Sequence, residues 1–279
     1  MTWNPITGCL HGCAYCYAGR IAKRFDGGGY GTERGMFFAK YRDDAFDPPY
    51  VLDSPQYRKT NSDWYEQAAY PFGFEPTFHR YRLHEPKLIK KPQTVFVGSM
   101  ADILGDWVPG NWIHHVLNAC IKAPQHRYLF LTKNPERYIA VDDYLENGNA
   151  PHTDDYFDIW FGASAVNKEQ LYRAYNSPAE WLSLEPLLED ISDALMRCAM
   201  WMSALDKSGH TRWKWIVIGA ETGNRKDKVK PNYQWVYSLV KIAERWNTPV
   251  FLKNNLIPTA GEQYVKAHQQ LPWEAKLNV

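Results

Sequence analysis

The chain has 279 residues, of which 45% are apolar and 23% charged, and its formal net charge is +1 at pH 7. This length and apolar content suit one large α/β domain over residues 1–279, and the near-neutral charge excludes a uniformly basic coat for nucleic acid. The sequence has no apolar run near the roughly 18 residues of a membrane span and no secretory pattern at its start. We therefore expect no membrane association and a cytoplasmic location.

A first short strand is predicted at residues 2–6, directly ahead of a loop that carries three cysteines. Cys9, Cys13 and Cys16 have the spacing C-x-x-x-C-x-x-C, and Tyr15 stands just before the last of them. Three thiolates on one short loop can hold three corners of a [4Fe–4S] cluster, which leaves the fourth iron without a protein ligand. Something other than protein must occupy that iron, so the spacing indicates a place for chemistry.

Two other uses of clustered cysteines are weighed against the cluster. In a structural zinc site His11 would be the fourth ligand, but it lies between Cys9 and Cys13, whereas tetrahedral zinc usually draws its ligands from two separated pairs. A disulfide framework conflicts with the odd number of cysteines, five, in a long chain without a secretory signal. The iron–sulfur interpretation is preferred, and zinc stays open as the alternative.

Residues 26–91 interrupt the regular pattern of the chain. They begin with a glycine run, are rich in Pro, Gly, Asp, Tyr and Arg, and show no clear period. The stretch is too long for an ordinary connection, and its aromatic residues need cover. We predict an insertion or lid with some structure of its own.

Six short apolar runs follow at intervals typical of repeated strand–helix units: 94–97, 128–131, 159–161, 181–184, 215–218 and 250–252. Because the runs are uncharged, they indicate buried parallel strands. With the first strand they predict an α/β fold, a partial (β/α) barrel of six or seven parallel strands of the TIM type, since no dinucleotide fingerprint follows any of them. Cys120 and Cys198 fall at apolar positions of helices predicted at 111–122 and 191–205, which makes them core residues.

Polar residues follow the strand ends, where barrels gather their chemistry. The candidates are Ser99, Asp102, Thr132, Lys133, Ser164, Glu185, Glu221, Lys253, Asn254 and Asn255. Some of them, such as Ser99, Asp102 and Ser164, could instead cap the helices that follow. The loop after the strand at 215–218 adds Arg225 and Lys226, which could bind a phosphate-bearing substrate or simply be solvated.

Several segments together resemble a phage-associated family of radical SAM-like proteins. They are residues 2–9, 12–18, 95–102, 131–137, 182–188 and 217–223. The resemblance implies that Cys9, Cys13 and Cys16 bind the cluster and that Tyr15 lies against the adenine of S-adenosylmethionine. Residues 98–102 stand where many such enzymes carry a Gly-Gly-Glu element, so Ser99 or Asp102 is expected to hold the methionine ammonium.

The activity implied is that of a radical SAM enzyme. An external one-electron reductase of the flavodoxin or ferredoxin type would reduce the cluster, S-adenosylmethionine would be cleaved, and the resulting radical would abstract hydrogen from a substrate. Thr132, Lys133, Ser164 and Glu185 are expected to bind the cofactor, whereas Glu221, Arg225, Lys226, Lys253 and Asn254 are expected to bind the substrate.

The expected substrate is a nucleotide or nucleic-acid base, and a peptide or small metabolite is the first alternative. A non-catalytic iron–sulfur or zinc protein is the second. No catalytic residue is identified.

Overall fold

The computed structural model describes residues 1–25, 49–59, 64–146, 158–206 and 211–274. Its strands are β1 (Thr2–Trp3), β2 (Ile6–Thr7), β3 (Tyr50–Leu52), β4 (Tyr57–Lys59), β5 (Tyr65–Gln67), β6 (Thr77–His79), β7 (Thr94–Val97), β8 (Arg127–Thr132), β9 (Asp158–Ser164), β10 (Trp181–Leu184), β11 (Trp215–Ile218) and β12 (Val250–Leu252). Its α-helices are α1 (Tyr17–Phe25), α2 (Glu85–Leu88), α3 (Gly110–Ile121), α4 (Tyr138–Glu146), α5 (Lys168–Tyr175), α6 (Ser192–Asp206), α7 (Tyr233–Arg245), α8 (Ile257–Ala260) and α9 (Glu262–Ala267). Short 3₁₀ turns cover Arg80–Arg82, Pro135–Arg137 and Asn254–Leu256.

The main sheet has seven strands in the order β1-β7-β8-β9-β10-β11-β12. Its registers are parallel, as in the pairing of Leu182 with Ile216 between β10 and β11. All four residues of β10 and of β11 are buried, as expected of parallel strands covered on both faces. The prediction of an α/β fold on a parallel sheet is confirmed, with seven strands. Its finer description as a TIM-type barrel stays a prediction.

The chain divides into two compact units, and the first comprises Met1–Phe130 and Ala140–Ile159. It contains β1, β7 and β8, a small sheet in the order β2-β6-β3, and the antiparallel pair β4–β5. The single strand predicted at 2–6 is two strands, because Pro5 has no N–H to donate to a ladder and the chain turns there. After the turn, Ile6 pairs antiparallel with Phe78 of β6.

The stretch predicted as an insertion or lid is described in part. Residues 49–59 and 64–91 hold β3 to β6 and α2, and Leu52, Ala68 and Phe72 form a small buried cluster. Residues 26–48 and 60–63, which include the glycine run, lie outside the described residues. A lid role for this region stays a prediction, as does the assignment of the whole chain to one domain.

The second unit comprises Leu131–Ile139 and Trp160–Val279. Its strands β9 to β12 alternate with α5, α6 and α7. Helix α5 begins after Asn167, whose side chain accepts a hydrogen bond from Gln170 N, and Asn232 caps α7 in the same manner. Beyond β12 the chain returns, so that Leu252 N donates to His268 O at 2.8 Å.

The prediction that Cys120 and Cys198 are core residues is confirmed, since both are fully buried on α3 and α6. Among the described helices, none combines the length and the apolar character that crossing a lipid bilayer requires.

Candidate functional site

The cysteine loop begins at Gly8, whose backbone geometry sets the direction of the chain. Its φ is +88°, and an added Cβ would lie 2.2 Å from the carbonyl oxygen of Glu75. Gly8 N donates to Met100 O at 2.9 Å, and Cys9 N donates to Phe74 O at 3.1 Å. The loop is therefore anchored through its backbone to two segments of the first unit, and only glycine fits its first position.

The three cysteines of the loop are reduced and half-buried. Cys16 N donates to Cys13 O at 3.0 Å, and Gly19 N donates to Cys16 Sγ at 3.3 Å. Hydrogen bonds from backbone N–H groups to sulfur are among the interactions that set the properties of iron–sulfur clusters. Because α1 begins at the next residue, the Cys16 sulfur also lies at a helix N-terminus.

Burial raises the pKa of Cys9 to about 12. The backbone N–H of His11 acts in the opposite direction through a hydrogen bond, while the negative charges of Asp102, Cys13 and Cys16 raise the pKa further. A thiolate at Cys9 therefore needs a cation beside it, which iron would supply.

His11 projects from the middle of the loop to Asp102. Its Nε2 lies 2.7 Å from Asp102 Oδ2, and Asp102 is 5% exposed. The second oxygen of Asp102, Oδ1, accepts from Leu104 N at 3.1 Å. The zinc alternative needs His11 as a ligand, so it would have to use Nδ1 or break this contact.

The donor set of the loop fits an iron–sulfur cluster, because cysteine thiolates are the usual ligands of such clusters. Within the described ranges, no group of three or more His, Cys, Asp and Glu side chains is arranged to hold a single metal ion.

Ser99 lies close to the loop but is turned toward a residue that the sequence analysis missed. Its Oγ donates to Asn4 Oδ1 at 3.1 Å, and Met100 N donates to the same oxygen at 3.0 Å. Tyr17 OH donates to Ser99 O at 2.7 Å. The sequence signal for this residue is that Asn4 precedes a proline, an arrangement typical of turns. Tyr15 is half-buried within the loop.

In the second unit, the structure brings Glu185 and Lys253 together. Lys253 Nζ lies 2.6 Å from Glu185 Oε2. Asn255, rather than Asn254, completes the group: its Nδ2 donates to Ala220 O at 2.8 Å and to Glu185 Oε1 at 3.4 Å. Gly219 leaves room for the carboxylate, since a Cβ there would lie 2.7 Å from Glu185 Oε1.

Glu221 and Arg225 form the second ion pair of this unit. Arg225 Nε and Nη2 each donate to one oxygen of Glu221 at 2.7 Å, a bidentate arrangement. The Glu221 side chain is 1% exposed, and that of Arg225 is 30% exposed. Hydrogen bonding to Glu221 raises the pKa of Arg225, so the guanidinium stays charged. Lys226 beside it is exposed.

The remaining candidates of this unit are Thr132, Lys133, Ser164 and Asn254. Thr132 Oγ1 accepts from Asn134 N at 2.9 Å, which is a turn contact. Asn254 Oδ1 accepts from Gln269 Nε2 at 2.8 Å. Lys133 is half-buried and Ser164 is buried at the end of β9.

The chain matches a protein family over most of its length. The model of a family described as "Protein of unknown function (DUF5131)" matches residues 1–263. Neither the curated proteins nor the solved structures contain a match to the chain.

The resemblance to a phage-associated radical SAM-like family is wrong, because the family that matches is of unknown function and no radical SAM family is found. The phage association has no support either. Unrelated chains can share a short loop with three cysteines. Such a loop is therefore better evidence for metal binding than for membership of a particular family. The role of the cysteines therefore has to be argued from the geometry of their own loop.

Proposed function

We propose that this chain, which belongs to the DUF5131 family of proteins of unknown function, is an enzyme that binds a [4Fe–4S] cluster and cleaves S-adenosylmethionine reductively. The observation that carries the proposal is the anchored loop with Cys9, Cys13 and Cys16. Three thiolates leave one iron for the amino and carboxylate groups of S-adenosylmethionine.

The chemistry comes from the cofactors. Cys9, Cys13 and Cys16 would hold the cluster, which would supply one-electron transfer from an external reductase of the flavodoxin or ferredoxin type for the reductive cleavage of S-adenosylmethionine and hydrogen abstraction from the substrate. Such clusters are oxygen-sensitive, so we place the activity in the reducing cytoplasm.

The residues of the chain bind, orient and exclude water. In the first unit we assign Tyr15 to the adenine and Ser99 to the methionine end of the cofactor. In the second unit we assign Thr132, Lys133, Ser164 and Glu185 to cofactor binding and Glu221, Arg225, Lys226, Lys253 and Asn254 to substrate binding.

The exposed cations of the second unit support a nucleotide or nucleic-acid substrate. In both ion pairs the cation is the more exposed partner, at 30% for Arg225 against 1% for Glu221 and 45% for Lys253 against 22% for Glu185. Each carboxylate therefore holds a cation toward solvent, where a phosphate can reach it. An uncharged peptide or small metabolite would not need such a surface.

Anaerobic reconstitution with ferrous iron and sulfide tests the cofactor proposal. We expect about four irons per chain and an electron paramagnetic resonance signal of the reduced cluster that changes when S-adenosylmethionine is added. A triple Cys9→Ala, Cys13→Ala, Cys16→Ala variant should bind no iron. The matched control is Cys120→Ala with Cys198→Ala, which should load like the parent because both thiols are buried in helices.

Three results would contradict this function. Full iron loading in the triple variant would reject the ligands, and bound zinc in place of iron would reject the cluster. A cluster signal indifferent to S-adenosylmethionine would leave a non-catalytic iron–sulfur protein.

The substrate class has its own test. A single-stranded oligonucleotide should bind with an affinity that falls as salt rises, and Arg225→Gln should weaken it. Lys241→Gln is the control, because Lys241 is an exposed lysine paired with Glu244 on helix α7. Equal binding by both variants would show that Arg225 takes no part in phosphate recognition.

A further inference from the structure

We infer that His11 and Asp102 are positioning residues that hold the cysteine loop in its folded shape before any metal arrives. The inference rests on the proposed function, since it concerns the same loop. It gives His11 a role other than zinc ligation, and it gives Asp102 a role other than binding the methionine ammonium.

The contact between the two side chains spans 91 positions of the sequence. Because a carboxylate oxygen only accepts, His11 Nε2 donates to Asp102 Oδ2 at 2.7 Å. His11 lies between Cys9 and Cys13 in the chain, so this bond fixes the centre of the loop. The anchors at Gly8 N and Cys9 N fix only its start.

Asp102 is well suited to act as a fixed support. It is 5% exposed, and Leu104 N donates to its Oδ1 at 3.1 Å, so its carboxylate is held from the backbone side while it faces His11. Both oxygens are engaged. Binding an ammonium group would add a further contact to a carboxylate whose geometry is already determined.

The imidazole of His11 is held on a second side by Trp107. The two rings meet edge to face, with centroids 4.9 Å apart and planes at 80°. Gly105 leaves room for the indole, because a Cβ there would lie 2.3 Å from the Trp107 ring. His11 is thus held by two residues of the segment 102–107, which fixes the conformation of the loop around it.

A held loop favours metal binding through entropy. Gathering three thiolates from a mobile segment costs backbone freedom, and a preformed segment has lost that freedom on folding. In metal sites, partners that orient ligands typically change metal affinity by about 10–100-fold when removed. The same loss is expected here for either member of the pair.

The test compares the rate at which a chelator removes iron from the reconstituted parent protein, from four variants of the pair and from one control variant. His11→Ala and Asp102→Ala should each lose iron about 10-fold faster than the parent, and the double variant should be no worse than either. Asp102→Asn should stay close to the parent, because its amide can accept from Leu104 N and donate to His11. His84→Ala, an exposed histidine of the same unit, is the control.

A second readout needs no metal: the rate at which iodoacetamide alkylates the loop cysteines in the metal-free chain. We expect faster alkylation in His11→Ala and Asp102→Ala but not in Asp102→Asn, with unchanged circular dichroism. If the parent binds no cluster yet alkylation follows this order, the proposed function fails and the positioning pair stands. The positioning role would be rejected if both alanine variants were alkylated and lost iron at the rates of the parent. Additive effects in the double variant would reject it as well.

Discussion

Thr7 Oγ1 lies 2.8 Å from Nε2 of His79, and this contact ties β2, which leads into the cysteine loop, to β6. The other ring nitrogen of His79, Nδ1, lies 3.3 Å from Tyr81 OH. His79 is fully buried, and that burial, with the positive charge of Arg82, lowers its pKa to about 3. The histidine is therefore a neutral structural link.

This link predicts a loss of stability in acid. Between pH 6.5 and about 3 the unfolded chain binds a proton at His79 that the folded chain does not. The free energy of unfolding should therefore decrease as the pH is lowered through that window, by up to about 1.4 kcal/mol per pH unit. Above pH 6.5 His79 should cause no such loss. Urea unfolding at about pH 7 and about pH 5 measures the slope.

The matched variants are His79→Gln and His84→Gln. The first removes the buried titrating group and should flatten the slope, whereas the second changes an exposed histidine and should keep the slope of the parent. Equal slopes in the parent and in His79→Gln would show that other groups control the acid response.

Two glycines of the cysteine loop should respond differently to alanine. Gly8→Ala must hold φ near +88° and place its Cβ 2.2 Å from the Glu75 carbonyl oxygen, so the backbone has to move. We expect the free energy of unfolding to decrease by about 1–3 kcal/mol from the backbone conformation alone, and iron loading to be weaker.

Gly12→Ala is the control for that variant. Its φ is +64°, but an added Cβ meets nothing within 4 Å, so only conformational strain of about 1–2 kcal/mol is expected. Chemical denaturation of both variants gives the comparison. Equal losses would mean that the close approach to Glu75 is not the cause.

Gly219→Ala should disturb the ion pair of Glu185 more than it disturbs the fold. The added Cβ would lie 2.7 Å from Glu185 Oε1, the end of a side chain that can swing away. Since partly exposed ion pairs contribute little, we expect a stability change within about 1 kcal/mol. Oligonucleotide affinity should change more, because Lys253 loses the partner that orients it.

Thermal unfolding and binding measured on one preparation separate these two effects. Gly110→Ala is the neutral comparison, since a Cβ there meets nothing within 4 Å. A Gly219→Ala variant with parent affinity would remove Lys253 from the binding surface.

Arg225→Met should destabilise the chain more than Lys241→Met. The first leaves the Glu221 carboxylate, 1% exposed, without its bidentate partner, whereas the second breaks a pair whose carboxylate, Glu244, is 45% exposed. Removing the partner of a buried charge is the costly event. Urea unfolding of both variants, and of Arg225→Met in a Glu221→Gln background, should show that the excess cost disappears with the charge.

The strands of the main sheet could be predicted because their signal is local. Runs such as Thr94–Val97 and Trp181–Leu184 are apolar, uncharged and bounded by turn residues, and the structure has them at the predicted bounds. The bounds differ at β9, which is predicted at 159–161 and observed at Asp158–Ser164, and the prediction fails at the strand at 2–6. There, a proline and the side chain of Asn4 redirect the chain, and the partner of β2 is supplied by β6, far along the sequence.

The candidate site was predictable only where its members are neighbours in the chain. Cys9, Cys13 and Cys16 share one loop and could be found by spacing. The link between His11 and Asp102 depends on how the loop meets the segment after β7, which no local pattern encodes. Asn254 and Asn255 show the same limit, because the 3₁₀ turn turns one toward Gln269 and the other toward Glu185.

The return of the chain beside β12 protects an edge of the sheet. His268 O accepts from Leu252 N at 2.8 Å and Gln270 N donates to Val250 O at 2.9 Å, so the outer backbone groups of β12 are already paired. An uncovered edge strand recruits strands from other molecules and leads to aggregation. The segment after α9 therefore protects β12 from pairing with other molecules, and a chain ending at Ala267 would be prone to associate through β12.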